Sequence, residues 1–214
     1  IKTAGGLVQT NARVTGLAHD KGIWRIEAGQ NVYEAPIVIN AAGAWGDEIA
    51  RLAHLSPVGL KPKRRTVMTF VPDMQIDPKW PLTLDIEERF YFKPESGRVL
   101  ASPADETLSP PCDAQPEELD IAQLIADLEA HTHFKIPRVD AKWAGLRTFV
   151  DDKRPVYGFA DDADGFFWCV AQGGWGIQTS PAAAHIVEAL ITGCKGPEGV
   201  DMQRLLERLT NRLI

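Results

Sequence analysis

The residues with the most evident chemical use lie in the run Gln172-Gly173-Gly174-Trp175-Gly176-Ile177-Gln178-Thr179-Ser180-Pro181, which follows the continuous apolar segment 166–171. Glycines after a strand let backbone N–H groups approach a ligand. A helix opening next adds the positive end of its dipole, so strand, loop and helix start together form an anion-seeking site. Ser180 and Pro181 supply the N-cap and first-turn signal for that helix, Ile186, Val187, Leu190 and Ile191 its buried stripe, and Gly193 its end. A second turn of small residues, Ala41-Ala42-Gly43, closes the run Ile37-Val38-Ile39-Asn40 and leads through Ala44 and Trp45 into a helix expected to about Ala53. Small side chains there allow a ligand to approach a strand's C-terminal end, where open α/β sheets bind ligands; they equally allow tight strand-to-helix packing.

Two further residues stand out by position. In Arg89-Phe90-Tyr91-Phe92-Lys93-Pro94-Glu95-Ser96-Gly97-Arg98-Val99-Leu100 a hairpin is expected, with Glu95-Ser96-Gly97 at the turn. Alternation sends Tyr91 to the face opposite Phe90 and Phe92, where it serves either a ligand or a core. Arg147 lies in Trp143-Ala144-Gly145-Leu146-Arg147-Thr148-Phe149-Val150-Asp151-Asp152, close enough in sequence to Asp151 and Asp152 for a surface salt bridge.

The elements that must carry these residues change character along the chain. Segments 12–17, 23–28 and 37–39 are β-rich and separated by turn chemistry at 19–22 and 29–31, which gives a small antiparallel excursion and then a strand covered on both faces. From about Leu55 repeated prolines punctuate short β-like runs at 66–71, 83–86, 90–92 and 99–101, an antiparallel sheet rather than more βαβ units. Pro116 opens a helix to about Thr132 in which Leu119, Ala122, Ile125 and Leu128 recur, with Ile121 and Leu124 adjoining, to cover one face of that sheet.

Composition narrows the function classes. With 44% hydrophobic residues in 214 the chain can bury a real core, and its net charge of −6 argues against a general nucleic-acid binder. Three dispersed cysteines, Cys112, Cys169 and Cys194, form no CxxC pair and suggest neither a disulfide framework nor a metal site. A reducing cytoplasm is the expected location. No apolar run approaches the roughly 20 residues of a membrane span. Partners reduce to a small molecule and, at most, further copies of the chain.

The segment Asn40-Ala41-Ala42-Gly43-Ala44-Trp45, preceded by Ala12-Arg13-Val14-Thr15-Gly16-Leu17, is similar to a motif of the FAD-dependent D-amino-acid oxidase, glycine oxidase and sarcosine oxidase family. Trp143-Ala144-Gly145-Leu146-Arg147 resembles the WAGLRP pattern of glycine oxidases, with Thr148 in place of the usual proline and Val150 in place of a usual threonine. The resemblance implies non-covalent FAD, with the Val14 backbone at the adenine, Ala42, Gly43 and Trp45 beside the nucleotide, and Gly173, Gly174, Trp175, Gly176, Ile177 and Gln178 at the isoalloxazine ring. It also implies that Arg147 binds the substrate carboxylate, a task suited to its planar fork, with Tyr91, three residues before a proline, directing its hydroxyl to the same group. The implied reaction is oxidation of the C–N bond of an amino acid or secondary amine, hydride passing to flavin N5 and the imine hydrolysing afterwards.

The expected fold class is mixed α/β: a partial FAD-binding Rossmann-like domain at 1–54 and 143–214 around an antiparallel-sheet substrate domain at 55–142. No GxGxxG occurs in the chain, and it starts at Ile1, so it reads as a C-terminal portion with weak or absent FAD binding. A dehydrogenase using an acceptor other than oxygen, and a non-catalytic fragment, stay open as alternatives. His131, His133 and His185 are expected on helices in capping or solvent-facing roles, and Cys169 in packing.

Overall fold

The structure is a computed structural model that describes residues 1–205. It forms two compact units, one from Ile1–Leu60 and the residues from Thr148 onward, the other from Lys61–Arg147. Helices combined with largely antiparallel sheets agree with the expected mixed class.

In the first unit β1 (Val14–Asp20), β2 (Ile23–Ala28) and β3 (Asn31–Ala35) make an antiparallel meander in chain order. The first strand runs further than expected, through Asp20, because the turn needs only Lys21 and Gly22, both at positive φ. β3 escapes the sequence pattern, since its only β-rich residues are Val32 and Tyr33. Buried Trp24 fastens the meander, its indole N–H donating to the Asp164 carbonyl at 2.9 Å.

A second sheet has the order β11 (Val156–Phe159), β12 (Phe166–Val170), β4 (Val38–Asn40). β12 runs antiparallel to β11 and parallel to β4, with Phe166 opposite Val38 and Trp168 opposite Asn40. β12 is covered on both faces, its Phe166, Phe167, Trp168 and Val170 all buried. β4 is not. It lies at the sheet edge with Ile39 48% exposed, so the expectation of a doubly covered strand fails there.

Helix α1 (Gly46–Leu52) follows a short 3-10 turn at Gly43–Trp45. Helix α3 (Gly176–Thr192) begins earlier than the Ser180-Pro181 signal indicated, and Pro181 lies inside it. Proline leaves the carbonyl four residues back without its donor. That carbonyl belongs to Ile177, and the Ser180 hydroxyl donates to it at 2.8 Å, which lets the helix run through the proline. Gly193 ends α3 in the left-handed conformation, as expected, while only Ala189 of the helix is buried and the Ile186, Val187, Leu190, Ile191 stripe is half-buried.

The second unit is built on a six-stranded sheet of β5 (Lys61–Phe70), β6 (Thr83–Leu84), β7 (Tyr91–Glu95), β8 (Arg98–Ser102), β9 (Thr107–Leu108) and β10 (Val139–Phe149). Its main path is β10-β5-β8-β7-β6, and β9 pairs β5. The β7–β8 hairpin closes through Ser96 and Gly97 at φ 50° and 80°, the positive pair that a tight two-residue turn requires. Met68, Phe70, Phe92, Val99 and Ala101 pack one face of this sheet against Ile121, Leu124 and Leu128 of helix α2 (Glu118–His131). Leu119 is 76% exposed and Ala122 also faces outward, which corrects the expected stripe: the helix turns its 121/124/128 face inward. His131 closes the helix, Nδ1 near the Asp127 carbonyl at 2.8 Å and Nε2 2.9 Å from Arg89 Nη1, whereas His133 lies beyond it.

Candidate functional site

In the first unit the two glycine-bearing turns leave the same end of a parallel strand pair. Asn40 of β4 lies opposite Trp168 of β12, so the turn after β4 and the loop after β12 emerge side by side at the strands' C-terminal ends. This is where open α/β sheets hold ligands.

The turn after β4 is organised by Asn40, a residue whose role the sequence reading did not single out. Its carboxamide is buried, donating to the Gly46 carbonyl at 2.8 Å and accepting from the Ala42 N–H at 3.3 Å. Gly43 sits at φ 56° with open space where a Cβ would stand. A side chain there would be strained by the backbone conformation, and its absence leaves room against the chain. Trp45 then joins Val14, Arg13, Glu48, Ile49 and Leu52 around a concavity of about 380 Å³. Val14 and Trp45, expected at the adenine and the nucleotide, are thus brought to one surface.

The loop after β12 has two left-handed residues, Ala171 at φ 62° and Gly173 at φ 57°. For buried Ala171 this conformation is uncommon and costs of order 1 kcal/mol or more, so surrounding structure must hold it. Gln172 contributes, its side-chain amide donating to the Cys169 carbonyl at 3.0 Å. Burial pushes the Cys169 thiol and the Tyr157 phenol, cross-strand partners, above their ordinary values, so both stay protonated at neutral pH. Gly173 donates its N–H to the Thr148 carbonyl at 2.9 Å, and a Cβ on it would overlap the Phe149 ring. Gly173 therefore has a packing reason to be glycine. Gly174, Trp175, Ile177 and Gln178 are exposed, Ile177 at 94%, and Gly176 opens α3.

The second unit carries Tyr91 and Arg147. Phe92 faces the α2 core, so Tyr91 points to the other side of the sheet, as the alternation predicted. The Arg65 guanidinium lies over its ring, 5.9 Å from the centroid. Lys142 on β10 pairs with Glu118 of α2, and Val139 of the same strand packs against the α2 core. Arg147 lies near the end of the same strand. Arg147 is half-buried, and among the described residues it makes no hydrogen bond or ion pair. β10 runs on into Thr148, whose carbonyl anchors the glycine loop. Arg65 was missed by sequence reading, since Lys61-Pro62-Lys63-Arg64-Arg65 reads as one basic run.

Among the described residues no helix is long and apolar enough to cross a membrane, and no group of three or more His, Cys, Asp or Glu side chains is placed to hold a metal.

The family model of the FAD dependent oxidoreductases matches residues 1–190. The chain is 31% identical over 185 residues to FAD-dependent oxidoreductase domain-containing protein 1 of Xenopus laevis, covering 74% of this chain and 35% of that protein. It is 28% identical over 102 residues to mitochondrial dimethylglycine dehydrogenase of Mus musculus, across 46% of this chain and 12% of the relative. Among solved structures, glycine oxidase from Geobacillus kaustophilus superposes with a TM-score of 0.73 at 19% identity, over 92% of this chain and 51% of its own. L-proline dehydrogenase from P. horikoshii gives 0.72 at 19%, over 90% and 52%. The chain thus spans about half the length of these solved structures and 35% of the frog relative. With the family model matched from residue 1 to 190, this chain belongs to the FAD dependent oxidoreductase family.

Proposed function

We propose that this chain forms the substrate-holding part, and a portion of the flavin-binding part, of an FAD-dependent enzyme that oxidises the carbon–nitrogen bond of an amino acid or secondary amine. The observation that carries the reading is Arg147, a half-buried guanidinium with no counterion among the described residues, in the unit that also carries Tyr91. A cation partly removed from water with nothing to pair it is costly unless an anion visits it. A carboxylate matches its fork with two parallel bonds, and the Tyr91 hydroxyl can donate a third. The named activities of glycine oxidase and L-proline dehydrogenase, both acting on carboxylate-bearing amines, support the same class.

The first unit suits the dinucleotide in two places. Val14, Ala42, Gly43 and Trp45 would hold its adenosine side, and the loop from Gly173 to Gln178 would meet its ring, the α3 dipole favouring negative charge there. No GxGxxG is present for the pyrophosphate, so the 214-residue chain is expected to hold little or no FAD by itself. When bound, the flavin supplies a two-electron acceptor. The protein's own part is positioning: Arg147 and Tyr91 fix the carboxylate, and with it the direction of the α-hydrogen, and no side chain need act as a base if the amine binds unprotonated.

The test joins this chain to a dinucleotide-binding element with a GxGxxG turn and loads FAD. Anaerobic mixing with glycine, sarcosine and D-amino acids should bleach the oxidised-flavin band for at least one of them. Exposed Gly174 gives the control on the loop, since Gly174→Val should weaken FAD retention without lowering the thermal midpoint. A stably flavinated protein that no amine or amino acid reduces would refute the reading, as would normal FAD retention and redox behaviour in Gly174→Val for the loop.

A further inference from the structure

The turn that leads into Tyr91 is tied to the end of α2 by side chains outside the proposed carboxylate site. Arg89 holds Asp85 with two of its nitrogens, Nε to Oδ2 at 2.8 Å and Nη2 to Oδ1 at 3.0 Å. Its other terminal nitrogen, Nη1, lies 2.9 Å from Nε2 of His131, the last residue of α2. A guanidinium carries donors and no acceptor, so the imidazole nitrogen that faces it must accept. His131 Nδ1 stands 2.8 Å from the Asp127 carbonyl, which accepts and cannot donate. One species alone satisfies both contacts: the neutral ring with its proton on Nδ1. A proton added at Nε2 would set two donors and two positive charges face to face.

The acids around this pair are committed elsewhere. Asp85 is held bidentately by Arg89, and Glu87 lies 3.5 Å from Arg89 Nε. On α2, Asp127 accepts from the Gln123 amide at 3.2 Å and Glu129 from the Ile136 N–H at 2.8 Å. Among the described residues none of these four carboxylates bonds the imidazole, so none stands ready to replace Arg89 when the ring is charged. His131 is exposed, and the negative end of the α2 dipole favours a cation there, so acid can charge the ring at the expense of the Arg89 contact. The turn itself is closed by the Asp85 N–H on the Phe90 carbonyl and the Glu88 N–H on the Asp85 carbonyl, both at 2.9 Å. Phe90 is buried with its ring 6.3 Å from that of His131, and Tyr91 follows it as the first residue of β7.

We propose that Arg89 and His131 form a pH-sensitive latch, closed while the imidazole is neutral and open once it is protonated, that holds the lead-in to Tyr91 against the end of α2. The latch rests on the geometry of the turn, whereas its effect on substrate rests on the reading of Tyr91 as a carboxylate donor. The closed latch excludes a proton that the unfolded chain accepts. Its contribution to stability is therefore present on the alkaline side and lost as pH falls. Once it opens, the 85–90 turn keeps its Asp85 contacts and loses its tie to the helix.

The test uses the 214-residue chain and needs no flavin. Denaturant unfolding of the wild type, Arg89→Ala, His131→Ala and the double variant is compared at about pH 8 and about pH 5, an interval that spans the charge change of histidine. The double-mutant cycle isolates the pair from the dipole and from Asp85. On the alkaline side the coupling should favour the folded chain by about 2- to 10-fold in the unfolding equilibrium constant, the worth of one hydrogen bond. On the acid side it should vanish or turn unfavourable. Nitrogen-15 NMR of the wild type provides a second measurement that needs no variant, and should find the His131 proton on Nδ1 on the alkaline side. Amide exchange in 85–90, corrected for intrinsic rates, should rise on acidification in the wild type and not in His131→Ala. A coupling that is absent, or equal at both pH values, overturns the latch. So does a proton on Nε2, or exchange that rises as much in His131→Ala. Each of these results leaves the carboxylate roles of Arg147 and Tyr91 untouched, since no substrate enters the measurement.

Discussion

The two faces of the sheet in the second unit are made from the same strands and differ in how completely their groups are satisfied. Toward α2, Met68, Phe70, Val99 and Ala101 are closed under Leu124 and Leu128, and the Arg64 cation there is matched by three carboxylates. Asp105 is itself held twice more, accepting from the Thr66 N–H at 2.6 Å and the Thr66 hydroxyl at 3.0 Å. On the opposite face, Arg65 makes one hydrogen bond and a longer ion pair with Glu106, and Tyr91 lies under its guanidinium. A polar group in low dielectric is stabilised only when paired. The face toward α2 is thus held by the denser network of charges.

That contrast can be broken by stability measurements on each face. Truncation on the closed face should cost most: Leu124→Ala removes a fully buried side chain and should destabilise by about 2–5 kcal/mol in denaturant unfolding. Arg64→Gln should come next, at about 3 kcal/mol, because Asp105 and Asp120 lose the cation that neutralises them. On the other face Arg65→Gln and Tyr91→Phe should each change stability by less than about 1 kcal/mol, within the range of substitutions that remove no buried satisfied network. If Arg65→Gln proved as costly as Arg64→Gln, the two faces would not differ in kind and Arg65 would be structural.

The smallest effect is a pH dependence at the turn before β7. The Arg89 guanidinium, aided by the backbone N–H groups of Arg89 and Glu87, holds the Asp85 carboxyl down at about 2 from its ordinary 3.8. A lowered value means that the ionised form is favoured in the folded state, so the contribution is complete above about 3.8 and fades as pH falls through about 2. Thermal midpoints of the wild type and Asp85→Asn should therefore differ near neutrality and converge in that acid window. A difference that stays constant down to about pH 2 would assign the effect to something other than charge.

Local signals in the sequence located most elements and left their surroundings unread. The Ser96-Gly97 turn, the apolar β12 run and the Gly193 stop each rest on backbone chemistry carried within a few residues, and each lies where expected. The start of α3 misled because Pro181 normally marks a first turn, and nothing local announces that the Ser180 hydroxyl will satisfy Ile177. Ile39 was expected to be covered because apolar runs usually are, but coverage depends on what packs beside the strand, and β4 has a ladder partner on one side only. For the site, a motif could point to Arg147 and Tyr91, but not to the difference between Arg64 and Arg65. That difference is decided by Asp105, Glu117 and Asp120, far away in sequence and gathered on one face by folding.

Arg147→Lys puts the carboxylate clamp to its most direct test. Lysine keeps the charge and loses the fork, so in the flavin-loaded protein the catalytic efficiency toward carboxylate-bearing amines should fall by about 30- to 1000-fold, through kcat as well as KM, with FAD retained. Plain amines of similar size, which never engage the fork, should lose much less. Equal losses for amino acids and plain amines, or no loss for either, would contradict the clamp and return Arg147 to a structural role.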